Sequence, residues 1–191
     1  MAATRHNPRL QKLYTERIAP DAAKKFGLPN AHQIPRLSKI VINCGIGRFL
    51  ENQKLKSEIH DSVRDTIATT TGQRPVVIKA RKSVANFKVR EGAPSAFMVT
   101  IRRDRMWHFL DRLINLAIPR IRDFRGLKST AFDSAGNYSL GLTEQAVWPE
   151  INMAKVSFSH GMNINIVLEN SNPERSRFVL QELGMPFVKK E

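Results

Sequence analysis

The chain is poor in cysteine: Cys44 is the only one in 191 residues. No disulfide can form within it, which fits a reducing compartment. No apolar run approaches the ~20 residues that span a bilayer, so no membrane-spanning segment is expected. The opening stretch MAATRHNPRLQK has no apolar core of the kind a secretory signal needs, and it is too short for a convincing transit peptide. The histidines, His6, His32, His60, His108 and His160, show no i, i+4 pair and no cysteine partner in sequence. No zinc ligand set is legible, and neither a metal nor another cofactor is expected. Paired carboxylates at metal spacing, a cofactor glycine fingerprint and a catalytic histidine constellation are all missing, so the sequence argues against an enzyme. Gly45-Ile46-Gly47 is a glycine turn without the spacing of a phosphate loop. Internal repeats and low-complexity tracts are lacking too.

Acids are scarce. Seventeen Asp and Glu stand against 31 Lys and Arg, a formal charge of +14 and a pI near 10.5. That excess calls for an anionic partner without choosing among RNA, DNA and acidic lipid. Half of it is concentrated between Arg74 and Arg105. Nine cations lie there (Arg74, Lys79, Arg81, Lys82, Lys88, Arg90, Arg102, Arg103, Arg105) against Glu91 and Asp104. A charged but solvated face usually intersperses both signs; this one does not, which suits a nucleic-acid backbone. The hydrophobic content of 41% fits a globular chain, and the length allows one domain with a true core.

Periodicity divides the chain into helices and strands. Leu10, Leu13, Tyr14 and Ile18 predict an amphipathic helix over 8–26, interrupted by Pro20 and ended by Gly27 and Pro29. Ile34 to Cys44 alternates as a strand, with Ile40, Ile42 and Cys44 inward and Lys39, Val41 and Asn43 outward. Cys44 therefore reads as a small buried hydrophobe. Leu55, Ile59, Val63 and Ile67 predict a helix from about Asn52 to Thr70, stopped by Gly72. Pro75 to Lys79 is a short strand. Phe87–Arg90 and Ala96–Arg102 are expected to pair as a hairpin across Glu91 to Pro94, with Phe97, Val99 and Ile101 inward and Ala96, Met98, Thr100 and Arg102 outward. Asp104 is the expected N-cap of a third helix carrying Met106, Leu110, Leu113, Ile114 and Ala117, ended by Pro119. Pro119 to Ser129 reads as a basic loop. Asn137 to Leu142 and Val156 to Leu168 read as strands, the latter broken near Gly161. Asn172, Pro173, Gly184 and Pro186 bracket the last helix. The prediction is an α+β fold, one domain over 1–191: an antiparallel-rich sheet of about five strands, helices on one face, the other face open for RNA.

Five stretches in order resemble the bacterial-type ribosomal protein L five family: PRLSKIVINCGIG, GQRPVVIKARKSVANFKVREG, RMWHFLDRLINLAIPRIRDFRGL, FDSAGNYSLGLTEQAVWPEI and HGMNINI. The match runs nearly end to end. Cys44 and Trp148 stand where that family usually has Met and Phe, and Pro20 breaks a normally smoother helix. The resemblance implies a cytoplasmic, bacterial-type constituent of the large ribosomal subunit. It implies a seat in the central protuberance, gripping 5S ribosomal RNA beside large-subunit proteins eighteen and twenty-five. It also implies a bridge to small-subunit protein thirteen. By that resemblance the 5S contacts are Asn43, Gln73, Thr100 and Arg102, with Lys39 and Arg103 beside them. A mobile loop of about 80–87 (Arg81, Lys82, Ser83, Val84, Ala85, Asn86, Phe87, with Lys88) reaches the P-site transfer RNA.

The residue types suit such roles. Lys82, Lys88, Arg90 and Arg103 are flexible cations fit for phosphates, whereas Asn43, Gln73 and Thr100 offer neutral donors and acceptors for 2′-OH groups and base edges. Arg102, with a planar fork, suits either. Phe87 either stacks on a base or packs at the root of the hairpin. Ser83 has no His or Asp nearby in sequence to activate it. Trp107 and His108 are expected to pack. The acidic stretch Glu144 to Ile151 is either a solvent loop or a surface for protein. A nonspecific polyanion binder and an RNA-acting enzyme are the competing functions.

Overall fold

A computed structural model describes residues 7–51, 54–55, 57–87, 89–152 and 158–188. Helices are α1 (Arg9–Leu13), α2 (Ala19–Phe26), α3 (Ser57–Thr71), α4 (Arg103–Arg112) and α5 (Pro173–Glu182). Strands are β1 (Arg36–Gly45), β2 (Leu50–Glu51), β3 (Lys54–Leu55), β4 (Val76–Lys79), β5 (Pro94–Ile101), β6 (Tyr138–Leu142) and β7 (Met162–Glu169). Five strands form an open antiparallel sheet in the order β4-β5-β1-β7-β6, and β2 and β3 form a separate small pair. This is the expected α+β class. Among the described residues no helix is long and apolar enough to cross a membrane. Contacts within the chain cluster into two units: one holds the residues up to Ile40, Arg102–Ser139 and those from Asn165 on; the other holds Val41–Ile101 and Leu140–Ile164.

In the first unit, α1 passes into α2 through a π-helical turn, Tyr14–Ile18. The Ala19 N–H donates to the Tyr14 carbonyl, five residues back. The widened turn gives room for the ring of Pro20, which lacks an N–H and would collide with a carbonyl in a regular α-helix. So the proline does not interrupt the helix as expected from sequence. The same device recurs after α4. Leu113–Ala117 form a π turn, the Ile118 N–H donates to the Leu113 carbonyl, and Pro119 follows. Gly27 (φ 61) ends α2 with its own N–H bonded to the Lys24 carbonyl and that of Leu28 bonded to the Ala23 carbonyl, the paired bonds of a glycine C-cap. Tyr14 stacks on Trp107 at 5.5 Å, and its hydroxyl donates to the Pro35 carbonyl at 2.8 Å. Met106, Leu110, Leu113, Ile114 and Ala117 are all buried, as their spacing predicts. His108 is exposed and does not pack. Asp104 sits in the first turn of α4 but does not cap it; Arg102 takes the N-cap position without a side-chain bond. Asn172 does cap α5, its Oδ1 accepting from the Arg175 N–H at 2.8 Å.

Before β6, Asp133 accepts from the Asn137 N–H at 2.7 Å and from Asn137 Nδ2 at 2.8 Å. These bonds hold its carboxyl below the usual range. Burial pushes the Tyr138 phenol up to about 12. Glu169 is also held low, first by the Ser38 hydroxyl and then by Arg36, the latter at 2.8 Å. Such exposed pairs are screened by solvent and contribute little. One fully buried Ile or Phe contributes about 1.5–3 kcal/mol, so apolar burial dominates.

In the second unit, β4 and β5 form the hairpin, with Val76 opposite Met98, Val77 opposite Phe97 and Ile78 opposite Ala96. The expected pairing of Phe87–Arg90 with Ala96–Arg102 is wrong: Ala85–Phe87 is a short 3-10 turn within the connecting loop, Val89 forms an isolated bridge with Val84, and β5 pairs with β4 instead. Alternation in the neighbouring short runs could not say which of them faced β5. Leu55, assigned from sequence to a helix, lies in β3, and α3 starts two residues later at Ser57. Asn52, where that helix was expected to begin, and Val156, where the last strand was expected to begin, lie outside the described residues; β7 starts at Met162. Phe97, Val99 and Ile101 are buried as expected, but so is Ala96 on the outer side. His60 on α3 lies against Phe97 at 5.1 Å. Cys44 is fully buried. It donates to the Gly161 carbonyl at 3.1 Å and lies 3.2 Å from His160 Nδ1, a pairing across 116 residues invisible to local spacing. Gln145 is buried and holds two backbone groups, donating to the Phe158 carbonyl and accepting from the His160 N–H. With Val147 and Trp148 buried beside it, Glu144 to Ile151 is anchored in the core and is no simple solvent loop.

Gly136 (φ 82) would place a Cβ 2.6 Å from Ser176 Oγ and 2.8 Å from the Asn172 carbonyl oxygen. Gly47 has no positive φ, and nothing among the described residues lies within 4 Å of that position. Gly136→Ala should therefore cost about 2 kcal/mol or more in denaturant unfolding. Gly47→Ala should be neutral or stabilise by up to about 1 kcal/mol.

Candidate nucleic-acid interface

The outward side of the sheet in the second unit is built mostly from neutral groups. On β1, Ile42 and Cys44 are buried and Val41 and Asn43 between them are half-exposed. On β5, Val99 and Ile101 are buried and Met98 and Thr100 are half-exposed. Cross-strand partners share a face, so the pairing of Val76 with Met98 and of Ile78 with Ala96 puts Val76 and Ile78 on this side too. They are 62% and 37% exposed. The sheet thus offers methyl groups beside Thr100 and Asn43, and its one cation on this side in the second unit among the described residues is the exposed Lys79, which pairs with Pro94 at the end of β4. A cleft of about 380 Å³ opens next to Asn43, bordered by Gly45, Gly47, Gly161 and Asn163. Asn43 Oδ1 is buried and has no hydrogen-bond partner among the described residues, a deficit worth about 1–3 kcal/mol if left unmet. Gly161 cannot carry a side chain, since a Cβ would lie 2.7 Å from the Leu142 carbonyl oxygen.

Of the other expected contacts, Gln73 is half-exposed just after α3, its N–H bonded to Thr71 Oγ1 at 3.2 Å. Lys39 is half-buried on β1, of the same parity as Asn43. Arg102 and Arg103 are exposed at the start of α4 in the first unit. Asn43 and Thr100 are therefore brought together on adjacent strands, whereas the two arginines come from a different element. Asn163, exposed on β7 beside the cleft, was not singled out from sequence. Its outward parity in MNINIVLE was the available signal.

Arg103 has φ 54, the left-handed region, at the first residue of α4. For a residue with a Cβ this costs about 1–2 kcal/mol, and strain of this kind gathers at functional positions.

The loop joining β4 to β5 is closed at its base. Ala80 N–H donates to the Ala93 carbonyl at 2.8 Å, and Gly92 N–H to the Ala80 carbonyl at 2.9 Å. Val84 and Val89 exchange backbone bonds of 2.9 and 3.2 Å. Ser83 Oγ accepts from the Glu91 N–H at 2.9 Å, so this hydroxyl is structural. Arg81, Lys82, Ser83, Val84, Ala85 and Asn86 are exposed, and Phe87 is 79% exposed. That excludes packing at the root of the hairpin and leaves its ring free to stack. Lys88 lies outside the described residues. Among the described residues, no group of three or more His, Cys, Asp or Glu is placed to hold a metal.

Comparison with known proteins gives matches along most of the chain. The family model described as ribosomal protein L5 matches residues 30–90, and the model described as the C-terminus of that ribosomal family matches residues 94–187. The chain is 51% identical to the large ribosomal subunit protein uL5 of Synechococcus sp., over 94% of this chain and 98% of that one. It is 48% identical to the proteins of the same name in Microcystis aeruginosa and Geobacter sulfurreducens, again over 94% of this chain and 98% of each of those.

Arg103→Gly should relieve the left-handed strain. The expected outcome is an unfolding midpoint equal to or above that of the parent, alongside weaker RNA binding. A variant that loses both stability and binding would show that the conformation is not strained.

Proposed function

The chain belongs to the ribosomal protein L5 family, and on that footing we propose that it is a structural constituent of the large ribosomal subunit that holds 5S ribosomal RNA on the neutral face of its sheet. The observation that carries this reading is Asn43, a half-exposed carboxamide on β1 that borders an open cleft and can meet a donor or an acceptor there. A 2′-OH or an exocyclic base amine is such a donor. Structured RNA displays 2′-OH groups across a wide, shallow minor groove that side chains can reach. A sheet face of Asn, Thr and methyl groups meets that surface without desolvating charges of its own. Lys39, Gln73, Arg102 and Arg103 serve as flanking contacts, the cations to phosphate.

In the same proposal the loop from Arg81 to Lys88 touches P-site transfer RNA, with Arg81 and Lys82 to phosphate and Phe87 stacking. Stacking of this kind is worth about 1–3 kcal/mol per base. Large-subunit proteins eighteen and twenty-five are neighbours on the 5S RNA. The anchored stretch Glu144 to Ile151, acidic at Glu144 and Glu150 in a basic chain, is the surface offered to small-subunit protein thirteen.

Binding to a 5S ribosomal RNA transcript, titrated against KCl, tests the assignments separately. Arg102→Ala should lower the slope of log affinity against log salt by about 0.7–0.9, the signature of one lost phosphate contact. Asn43→Ala should weaken binding several-fold with the slope unchanged, because a neutral contact releases no counterion. Unaltered affinity in both variants, each shown to be folded, would remove the sheet face from the RNA. For the loop, Arg81→Ala with Lys82→Ala should leave 5S binding intact and weaken P-site transfer RNA binding to ribosomes that carry the variant. Failure of those particles to assemble would place the loop on a different ligand.

A further inference from the structure

A second group of cations lies in the first unit, in the loop that follows α4. Arg120, Arg122, Arg125 and Lys128 are all exposed there, with Asp123 the one acid among them. Arg120, Arg125 and Lys128 enter no ion pair among the described residues. The loop is held at both ends. At its start the Ile121 N–H donates to the Ile118 carbonyl at 3.1 Å. At its end the Leu127 N–H donates to the Pro186 carbonyl at 2.8 Å, and the Leu127 carbonyl accepts from the Val188 N–H at 3.0 Å. The Lys128 carbonyl accepts from the buried Tyr138 phenol at 3.2 Å. Gly126 (φ 108) lies so close to Val188 that a Cβ would meet its side chain at 2.9 Å, and Asp123 turns the chain at φ 51. A short segment anchored at both ends keeps the backbone that carries these cations in place, so less backbone entropy is lost when they meet an anionic surface.

We propose that the loop from Arg120 to Lys128 is a second RNA-backbone site, binding successive phosphates of a ribosomal RNA strand. It is distinct from the contacts assigned to Arg102 and Arg103. The helical path from Arg103 to Ile118 separates the two ends by about 22 Å at ~1.5 Å per residue, too far for one phosphate to touch both. Several arginines in a row, without neutral readout groups between them, fit a phosphodiester chain better than base edges. The proposal rests on the ribosomal reading above only in taking the ligand to be ribosomal RNA.

The test uses the full chain with Arg120, Arg125 and Lys128 changed together to Ala, and a second variant, Arg120→Lys with Arg125→Lys, that keeps the charge. Both are checked for a parent-like unfolding curve. Affinity is measured against KCl for a 5S ribosomal RNA transcript, for large-subunit ribosomal RNA freed of 5S, and for phosphatidylglycerol vesicles. The expected result is a fall of about 2–3 in the log–log slope for at least one of the two RNAs in the Ala variant, with the slope kept in the Lys variant. Unchanged slopes on both RNAs overturn the proposal, as does a loss confined to vesicles. Should the parent chain itself fail to bind 5S RNA, the sheet-face reading falls, while the slope on the longer RNA still decides the loop.

Discussion

The side-chain alternation of β1 is the constraint on which the arrangement depends. Ile40, Ile42 and Cys44 are no more than 1% exposed, and Lys39, Val41 and Asn43 take the other side. A slip of one residue would exchange the two sets, burying a lysine and exposing two isoleucines. Losing the burial of those two side chains alone would forfeit about 3–6 kcal/mol, comparable with the whole stability of a small domain. The position of Asn43 is thus enforced by its neighbours and needs no interaction of its own.

That enforcement permits a buried acceptor to stay without a partner. The core can hold Asn43 Oδ1 unmet because the cost, about 1–3 kcal/mol, is smaller than the register energy that puts it there. The charge distribution follows a related logic. Around Asn43 and Thr100 the strand groups are neutral, with Lys39 and Lys79 further along β1 and β4, while denser sets of cations stand on the β4–β5 loop, at the start of α4 and in the loop after it. An ion on a flat sheet face would lose much of its hydration against a partner; one on a loop keeps part of it while still neutralising phosphate.

Elements with strong periodicity or clear caps were legible in the sequence. The inward sets of β1, β5 and β7 and the stripe of α4 follow from spacing alone, and Asn172 with Pro173 marks the start of α5 unambiguously. Strand partnership was not legible. Val76–Lys79 and Phe87–Arg90 are both short and both precede β5, and only the long-range register distinguishes them. Capping at Asp104 failed because the chain enters the helix two residues earlier, from Arg102 through the left-handed Arg103, a conformation that composition does not announce. The Cys44–His160 contact escaped for the same reason as any pairing of residues far apart in sequence. At the candidate interface, parity found Asn43 and Thr100, whereas the exposure of Val76 and Ile78 required knowing the partner of β4.

The π turn ahead of Pro20 also sets helix phase. Leu10 and Ala22, both buried, are twelve residues apart, which on an unbroken α-helix leaves them ~120° out of alignment at ~100° per residue. A π turn absorbs one extra residue, and the offset falls to roughly 20°, putting both side chains on one stripe. Chain length and proline are therefore coupled between Tyr14 and Ile18. A deletion of one residue there would preserve the stripe, yet it would close the turn onto the pyrrolidine ring, so the shorter helix is viable only in a chain that has also given up its proline.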